Sequence, residues 1–419
     1  MRKRRKRFKL KKKVKRFLWF LLLLCVGIII FNSCDKNKDK ELTDDEKINV
    51  LLEKKTYLNK IDNESNKDIK EEWKNAITNY LDLYFKSMIN LETRDVTKVF
   101  DDPKGEEAYL AKNAVDLLVK HHKMQFNDMR LIKANYDLLF SDVEETADGV
   151  KIEVKVNENV TFKYIPDVKS KAIDVENTFV INNEGKIKSL RVVQGYYVMF
   201  TNEMDVISKS EIDNLKKEYI SLMKEELEDL KLDKEDAFNE KYETDITCDG
   251  KYDRKKAVAY NYKYLEKRNP EYTAYDEIGG NCQNLVSQSL HAGGLPMDNE
   301  GYHQWKYYGP DLDTTDTKNG RSAPWTGTAN FYDYVVGNTG AGICADSNIN
   351  IFYAEPGDVG HVGYNGYTHA VLVVKKVKDK NGKVTDLLVN SNTTSLKDYP
   401  FLAYPYQNKR IIKILGYNN

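Results

Sequence analysis

The sequence predicts an α+β protein behind a membrane-directed leader, and three observations carry that prediction. Residues 1–16 hold twelve Lys or Arg and no acid, and an uncharged apolar run follows from Phe17 to Phe31. Between about 67 and 204 the hydrophobic period changes from the three-to-four spacing of helices to the alternation of strands. Beyond residue 250, a Gly-bracketed helical segment starting near Cys282 is followed by β-prone runs headed by His369 and ending near Asn392.

The chain has 419 residues, with 65 Lys+Arg balancing 65 Asp+Glu. Setting the first sixteen residues aside leaves 53 basic and 65 acidic groups, a net of −12. A body that acidic lacks the basic face of a nucleic-acid binder, so no nucleic-acid partner is expected. Charged residues at 31% exclude a polytopic membrane protein. Residues 17–33 read as a membrane anchor or signal segment, with 1–16 as a cytoplasmic basic tail and 34–66 as a charged tether. The apolar run is short for a span, but its basic flank stays on the cytoplasmic side and sends the later residues outside. A lipid-modified Cys34 and a cleaved signal are the two rival readings. Five cysteines are far too few for a disulfide scaffold. Cys25 and Cys34 sit in or beside the apolar run. Of Cys248, Cys282 and Cys344, at least one must be a free thiol, and a Cys248–Cys344 pair stays open.

The spacer region, 67–204, starts with an amphipathic helix carrying Trp73, Ile77, Tyr80, Leu81, Tyr84 and Met88. A second is expected from about Glu106 to Leu131, with His121 and His122 as ordinary helix residues. Alternation from Val150 to Val156, and again through Val160, Phe162 and Tyr164, marks strands, with Asp148-Gly149 and Asn183-Glu184-Gly185 as hairpin punctuation. The arrangement is similar in outline to cone-shaped NTF-like or cystatin-like folds. Residues 205–246 read as a helical linker: a helix from Ser208 to Leu232, capped by Ser208 with Glu211, then an acidic connection.

The chemistry lies in 247–419. In GGNCQNLVSQSLHAGG (Gly279–Gly294) the glycines bracket a helix, and Cys282 falls in its first turn. Unfilled N–H groups and the helix dipole there stabilise a thiolate, the form in which sulfur attacks. His369 opens the β run HAVLVV, and Asp379-Lys380-Asn381-Gly382 marks a hairpin to DLLVNSN. A four-residue loop would put Asn392 across from His369; a two-residue loop would set it opposite Val371, on the same face. Asn392 is therefore the expected group to orient the imidazole, with Asn390 second. Cys282 as nucleophile, His369 as base and Asn392 as orienter make a papain-type arrangement. Asn281, Gln283 and Tyr260 are candidate oxyanion donors beside the backbone N–H of Cys282. His361 is an alternative base in a Gly-rich loop. His291 stands nine residues past Cys282, about 13 Å along the helix, too far to act. His303 and Trp305 either line a substrate groove or cover the core, and Cys344 reads as structural. Without a close pair such as C-x-x-C, neither a metal nor a cofactor is expected.

Tyr252-Asp253-Arg254, GGNCQNLVSQSLHAGG, Trp325-Thr326, Phe331-Tyr332-Asp333-Tyr334, Pro356-Gly357-Asp358, Thr368-His369 and Ser391-Asn392-Thr393 together resemble the Putative amidase domain family. That family is a branch of the NlpC-like, papain-fold cysteine hydrolases, and the resemblance covers roughly residues 250–417. It implies a papain-like domain with Cys282 as nucleophile and His369 as base, and it brings Trp325 forward as a substrate-site candidate. The family usually has Asp where Asn281 stands, and His-Thr where Asn392-Thr393 stands. The expectation is an extracytoplasmic cysteine amidase acting on peptidoglycan or another peptide through an acyl-enzyme. A non-catalytic surface module with the same fold, and acyl transfer to an amine, are the alternatives.

Overall fold

The computed structural model describes residues 69–147, 149–193, 195–201 and 208–419. The basic tail, the anchor or signal segment and the tether lie outside the described residues, as do Cys25 and Cys34. Among the described residues, no helix is long and apolar enough to cross a membrane.

The chain forms a mixed α/β unit around an eleven-stranded sheet ordered β1-β2-β3-β10-β9-β8-β7-β11-β5, with β4 added to β3 and β6 to β11. All pairings between these strands are antiparallel. Helices α1 (Glu71–Asn90) and α2 (Glu106–Met124) lead into β1 (Leu131–Thr146), β2 (Gly149–Phe162), β3 (Ser170–Asn182) and β4 (Ile187–Val192). The short α3 (Gly195–Thr201) and the long α4 (Lys209–Asn239) follow. The capping box at Ser208 is formed from both sides, Ser208 Oγ with the Glu211 N–H and the Glu211 carboxylate with the Ser208 N–H.

Two expectations about this half are corrected. The second helix stops at Met124 rather than near Leu131. Ala134, Tyr136, Leu138 and Phe140 then bury one face of β1, a strand not foreseen. Helix α4 also runs through the acidic stretch as far as Asn239, because its Glu, Asp and Lys residues extend a capped helix at little cost.

The carboxy-terminal half contributes β5 (Gly250–Lys251), α5 (Arg254–Tyr264), α6 (Cys282–Ala292), α7 (Ala323–Thr326) and α8 (Thr328–Gly337). Strands β6 (Gly342–Ile349), β7 (Val359–Gly363), β8 (His369–Lys378), β9 (Val384–Ser391), β10 (Ser395–Pro400) and β11 (Asn408–Asn418) complete the sheet. The run after His369 is continuously apolar because both sheet faces are covered. Val371 and Val373 join the core shared with α1 and α2, while Ala370 and Leu372 join the core around α6.

The sheet does not stop at the expected boundary near residue 246. Strand β3 pairs with β10, with Ala172 facing Leu396. Tyr164 Oη donates to Asp386 Oδ2 at 2.7 Å, and Ser170 Oγ donates to the Asp398 carbonyl at 2.7 Å. His121 and His122 are both buried, and His122 Nε2 reaches the Ala403 carbonyl at 3.3 Å, so α2 also packs against the later half.

Cys248 and Cys344 are joined in a disulfide with Cα atoms 5.9 Å apart, and Cys282 is the free cysteine among the described residues. The bridge ties the approach to β5 to strand β6 across 96 residues of chain. Reduction is expected to lower stability by about 4–5 kcal/mol in the chain-entropy account. Urea unfolding with and without a thiol reductant measures it; an unchanged midpoint would mean the bridge constrains nothing in the unfolded chain.

Candidate active site

The Cys282 helix is positioned by its approach. Gly279 and Gly280 have φ of +87° and +101°, a backbone that glycine adopts without strain, and the Gly280 N–H donates to the Tyr275 carbonyl at 3.0 Å. Asn281 is the N-cap residue of α6, and its N–H donates to Thr393 Oγ1 at 2.6 Å. A Cβ on Gly280 would sit 3.2 Å from the same hydroxyl. The turn before the nucleophile is thus clamped to the end of β9 by Thr393, which itself takes φ +78°.

Cys282 is buried, and His369 lies against it at the start of β8. Burial pushes the thiol up. The charge and hydrogen bond of His369, with the N–H groups of Ala370 and Gln283, overcome that and bring it from 9.0 down to about 7. Half the thiol is then ionised near neutral pH, on a helix start whose dipole favours the anion.

The orienting role expected of Asn392 is not made. The β8–β9 loop is neither four nor two residues: Asp379 N–H donates to the Lys383 carbonyl at 2.9 Å, leaving three residues between them with Gly382 at φ +79°. Facing positions are therefore Lys378 with Val384 and, after two bulges, Leu372 with Asn390. A one-residue slip exchanges the faces of a strand, so Asn390 and Asn392 follow Ala370 and Leu372 instead of His369. Asn390 is held between Asn261 and the Asp398 N–H. Asn392 is fully buried beside Asn281 and Asn284, and among the described residues neither polar atom of its amide has a hydrogen-bond partner. Asn392→Leu is consequently expected to leave Cys282 alkylation intact and to hold or raise the thermal midpoint. A collapse of thiol reactivity in that variant would restore the orienting role.

The remaining candidates serve the scaffold. Gln283 is fully buried, its Nε2 donating to Ser287 Oγ at 3.3 Å. Arg410 Nε donates to His361 Nδ1 at 3.3 Å, which makes His361 Nε2 the donor to Gln283 Oε1 at 3.2 Å. Burial and then Arg410 hold His361 well below the ordinary range, so it is a neutral support of α6 rather than the base. Tyr260 Oη donates to Gln288 and accepts from Asn269, about two helical turns beyond the sulfur. Trp325 is fully buried against Trp305 and Tyr272, its indole N–H bonded to Asn284 Oδ1. Asn281 Oδ1 accepts from the Tyr275 N–H and from Asn284. Trp305 is likewise core, while His291 Nδ1 meets the Leu295 carbonyl.

Two clusters in this half had no reading in the sequence beyond their motif. Arg410 lies between the rings of Tyr332 and Tyr367, 3.3 and 3.9 Å from their centroids. Tyr252-Asp253-Arg254 meets Pro356-Gly357-Asp358: Tyr252 Oη donates to the Gly357 carbonyl, and Arg254 Nη1 donates to Asp358 Oδ1 at 2.6 Å. The motifs therefore mark a staple between α5 and β7.

Residues 251–415 match the family model described as "Putative amidase domain". The resemblance drawn from the motifs is thereby matched over the same stretch, and amide hydrolysis is the activity that the family description indicates in general terms. The chain is also 35% identical over 136 residues to "Uncharacterized protein YhbB" of Bacillus subtilis (strain 168). That alignment covers 30% of this chain and 38% of the relative's length. No solved structure matches the chain. The matched region contains both Cys282 and His369, whereas the region before residue 251 has no counterpart in the family match.

Proposed function

We propose that the amidase region cleaves amide bonds through the Cys282 thiolate, with His369 as acid and base. The observation that carries this is the His369 imidazole at the head of β8 lying against the buried Cys282 sulfur in the first turn of α6, a placement that favours the thiolate. The sulfur adds to the amide carbonyl, a C–S bond forms, and the oxyanion meets backbone N–H groups at the first turn, that of Cys282 foremost. His369, protonated, gives its proton to the leaving amine as the C–N bond breaks. Water then attacks the thioester while His369 takes its proton, releasing the acid and the free thiol. The papain-like character of the domain belongs to the same proposal.

The location is proposed to be extracytoplasmic. The basic leader before an apolar run supports that reading, and so does the Cys248–Cys344 bridge, which suits an oxidising compartment. A cell-wall peptide fits such a location. Incubating isolated cell-wall peptides with the wild type and Cys282→Ala, and following products by mass spectrometry, tests the whole reading. The expected outcome is cleavage only by the wild type, and equal product from both proteins would end it.

A further inference from the structure

The region before residue 205 does more than hold the amidase away from the leader. Between α1, α2, α3, strands β2–β4 and the segments around β8–β10 lies a cavity of about 390 Å³, within the usual range for small-molecule sites. His369, Thr368 and Thr393 lie in its lining, the last two exposed. Tyr404 stands in the same lining, its ring centroid 6.3 Å from that of His369. The walls beyond come from the other half of the chain: Tyr80 and Tyr84 of α1, Val115 and Leu118 of α2, and Val156 and Val175 of β2 and β3. Among the described residues, the lining carries no Lys or Arg. Its acid is Glu158, which burial raises to about 7.

We infer that this cavity is the substrate subsite of the amidase, taking a neutral, mainly apolar or aryl arm attached to the scissile amide. The inference rests on the proposed Cys282–His369 chemistry, which gives His369 its meaning in the lining. An anionic arm would lose its hydration and find no cation in these walls, facing Glu158 instead. A neutral ring or short aliphatic group gains apolar contact and ring edges from the tyrosines, with Asn177 and Glu158 within the lining for one hydrogen-bonding group. The antiparallel region thereby acts as the specificity half of a single site, which accounts for the sheet continuing through β3 and β10.

The test uses two readouts on the whole protein. Cys282→Ala is titrated by saturation-transfer NMR with N-benzylacetamide and with its para-carboxylate counterpart. Binding of the neutral probe, at least tenfold tighter than the anion, is expected. Separately, the wild type is alkylated with N-benzyl-iodoacetamide and with iodoacetamide. The benzyl reagent should react at least tenfold faster at Cys282 and saturate with concentration. Leu118→Trp, which fills the cavity, should bring that ratio toward one; circular dichroism reports that the variant is folded. Equal rates for the two reagents, or a ratio untouched by a folded Leu118→Trp, would overturn the subsite while leaving the thiol chemistry standing. Probe binding to Cys282→Ala with a wild-type thiol inert to both reagents would retain the subsite and end the amidase reading.

Discussion

With His369 replaced by alanine, the pH midpoint for alkylation of Cys282 is expected to climb from about 7 to above 9. The thiol starts at an ordinary value of 9.0, burial pushes it up, and the largest opposing influence is the His369 charge. Without the imidazole, burial remains and only backbone N–H groups counter it. The sign follows: a lowered thiol value means reactivity that rises as pH passes through 7, and its removal moves that rise to alkaline pH. At pH 7 the ionised fraction falls from about one half to about one part in a hundred. The more basic thiolate is intrinsically about tenfold more nucleophilic, so the net rate at neutral pH falls only about fivefold, and the midpoint is the decisive readout. Amide cleavage loses more, about 10²–10⁴-fold, because the proton for the leaving amine disappears as well. A His369→Ala midpoint still near 7 would mean that the helix start alone ionises the sulfur, and the base assignment would fall.

The second large effect is expected far from the sulfur. Asp358 is fully buried and receives Arg254 Nη1 at 2.6 Å and the N–H groups of Glu355 and Ile414, with Lys413 Nζ at 3.7 Å. Arg254 also reaches the carbonyls of Pro356 and Ile414. Burial raises the Asp358 carboxyl despite the two cations, so the assembled cluster is costly in itself. Breaking it costs more, because removing one partner strands buried charge. Asp358→Ala should lose about 3–5 kcal/mol, a large share of the stability of an ordinary domain. Replacing both partners of the short ion pair, Arg254→Met with Asp358→Leu, should recover part of that loss, since the Arg254 charge goes with its carboxylate while Lys413 keeps the Tyr353 carbonyl. Urea midpoints of the three proteins measure it. A loss in Asp358→Ala below about 1 kcal/mol would show that the carboxylate is solvated in practice.

The site was only partly legible before the fold. Cys282 between glycine pairs at a helix start, and His369 at the head of a β run, were both recognisable from residue type and spacing, and the structure sets them side by side. Hairpin loops of two or four residues would both place Asn392 on the face of His369. The loop has three, and because side chains alternate along a strand, that single residue moved Asn392 away from the imidazole. Tyr260 and Trp325 have functional-looking types, but their polar atoms are spent on Gln288, Asn269 and Asn284. Strand β1 does alternate in sequence, yet it follows a helix so closely that a longer helix absorbed its first residues.

Local chemistry reaches no further than local order. Helix starts, capping residues, hairpin turns and the charge of the leader depend on neighbours within a few positions, so Ser208, Glu211, Cys282 and the basic tail could be understood from the chain alone. The joining of β3 to β10, the Cys248–Cys344 bridge, the Arg254–Asp358 staple and the cavity at His369 each unite residues about a hundred or more apart. Contacts at that separation are selected by the packing of both sheet faces at once, and no pattern within one segment encodes them.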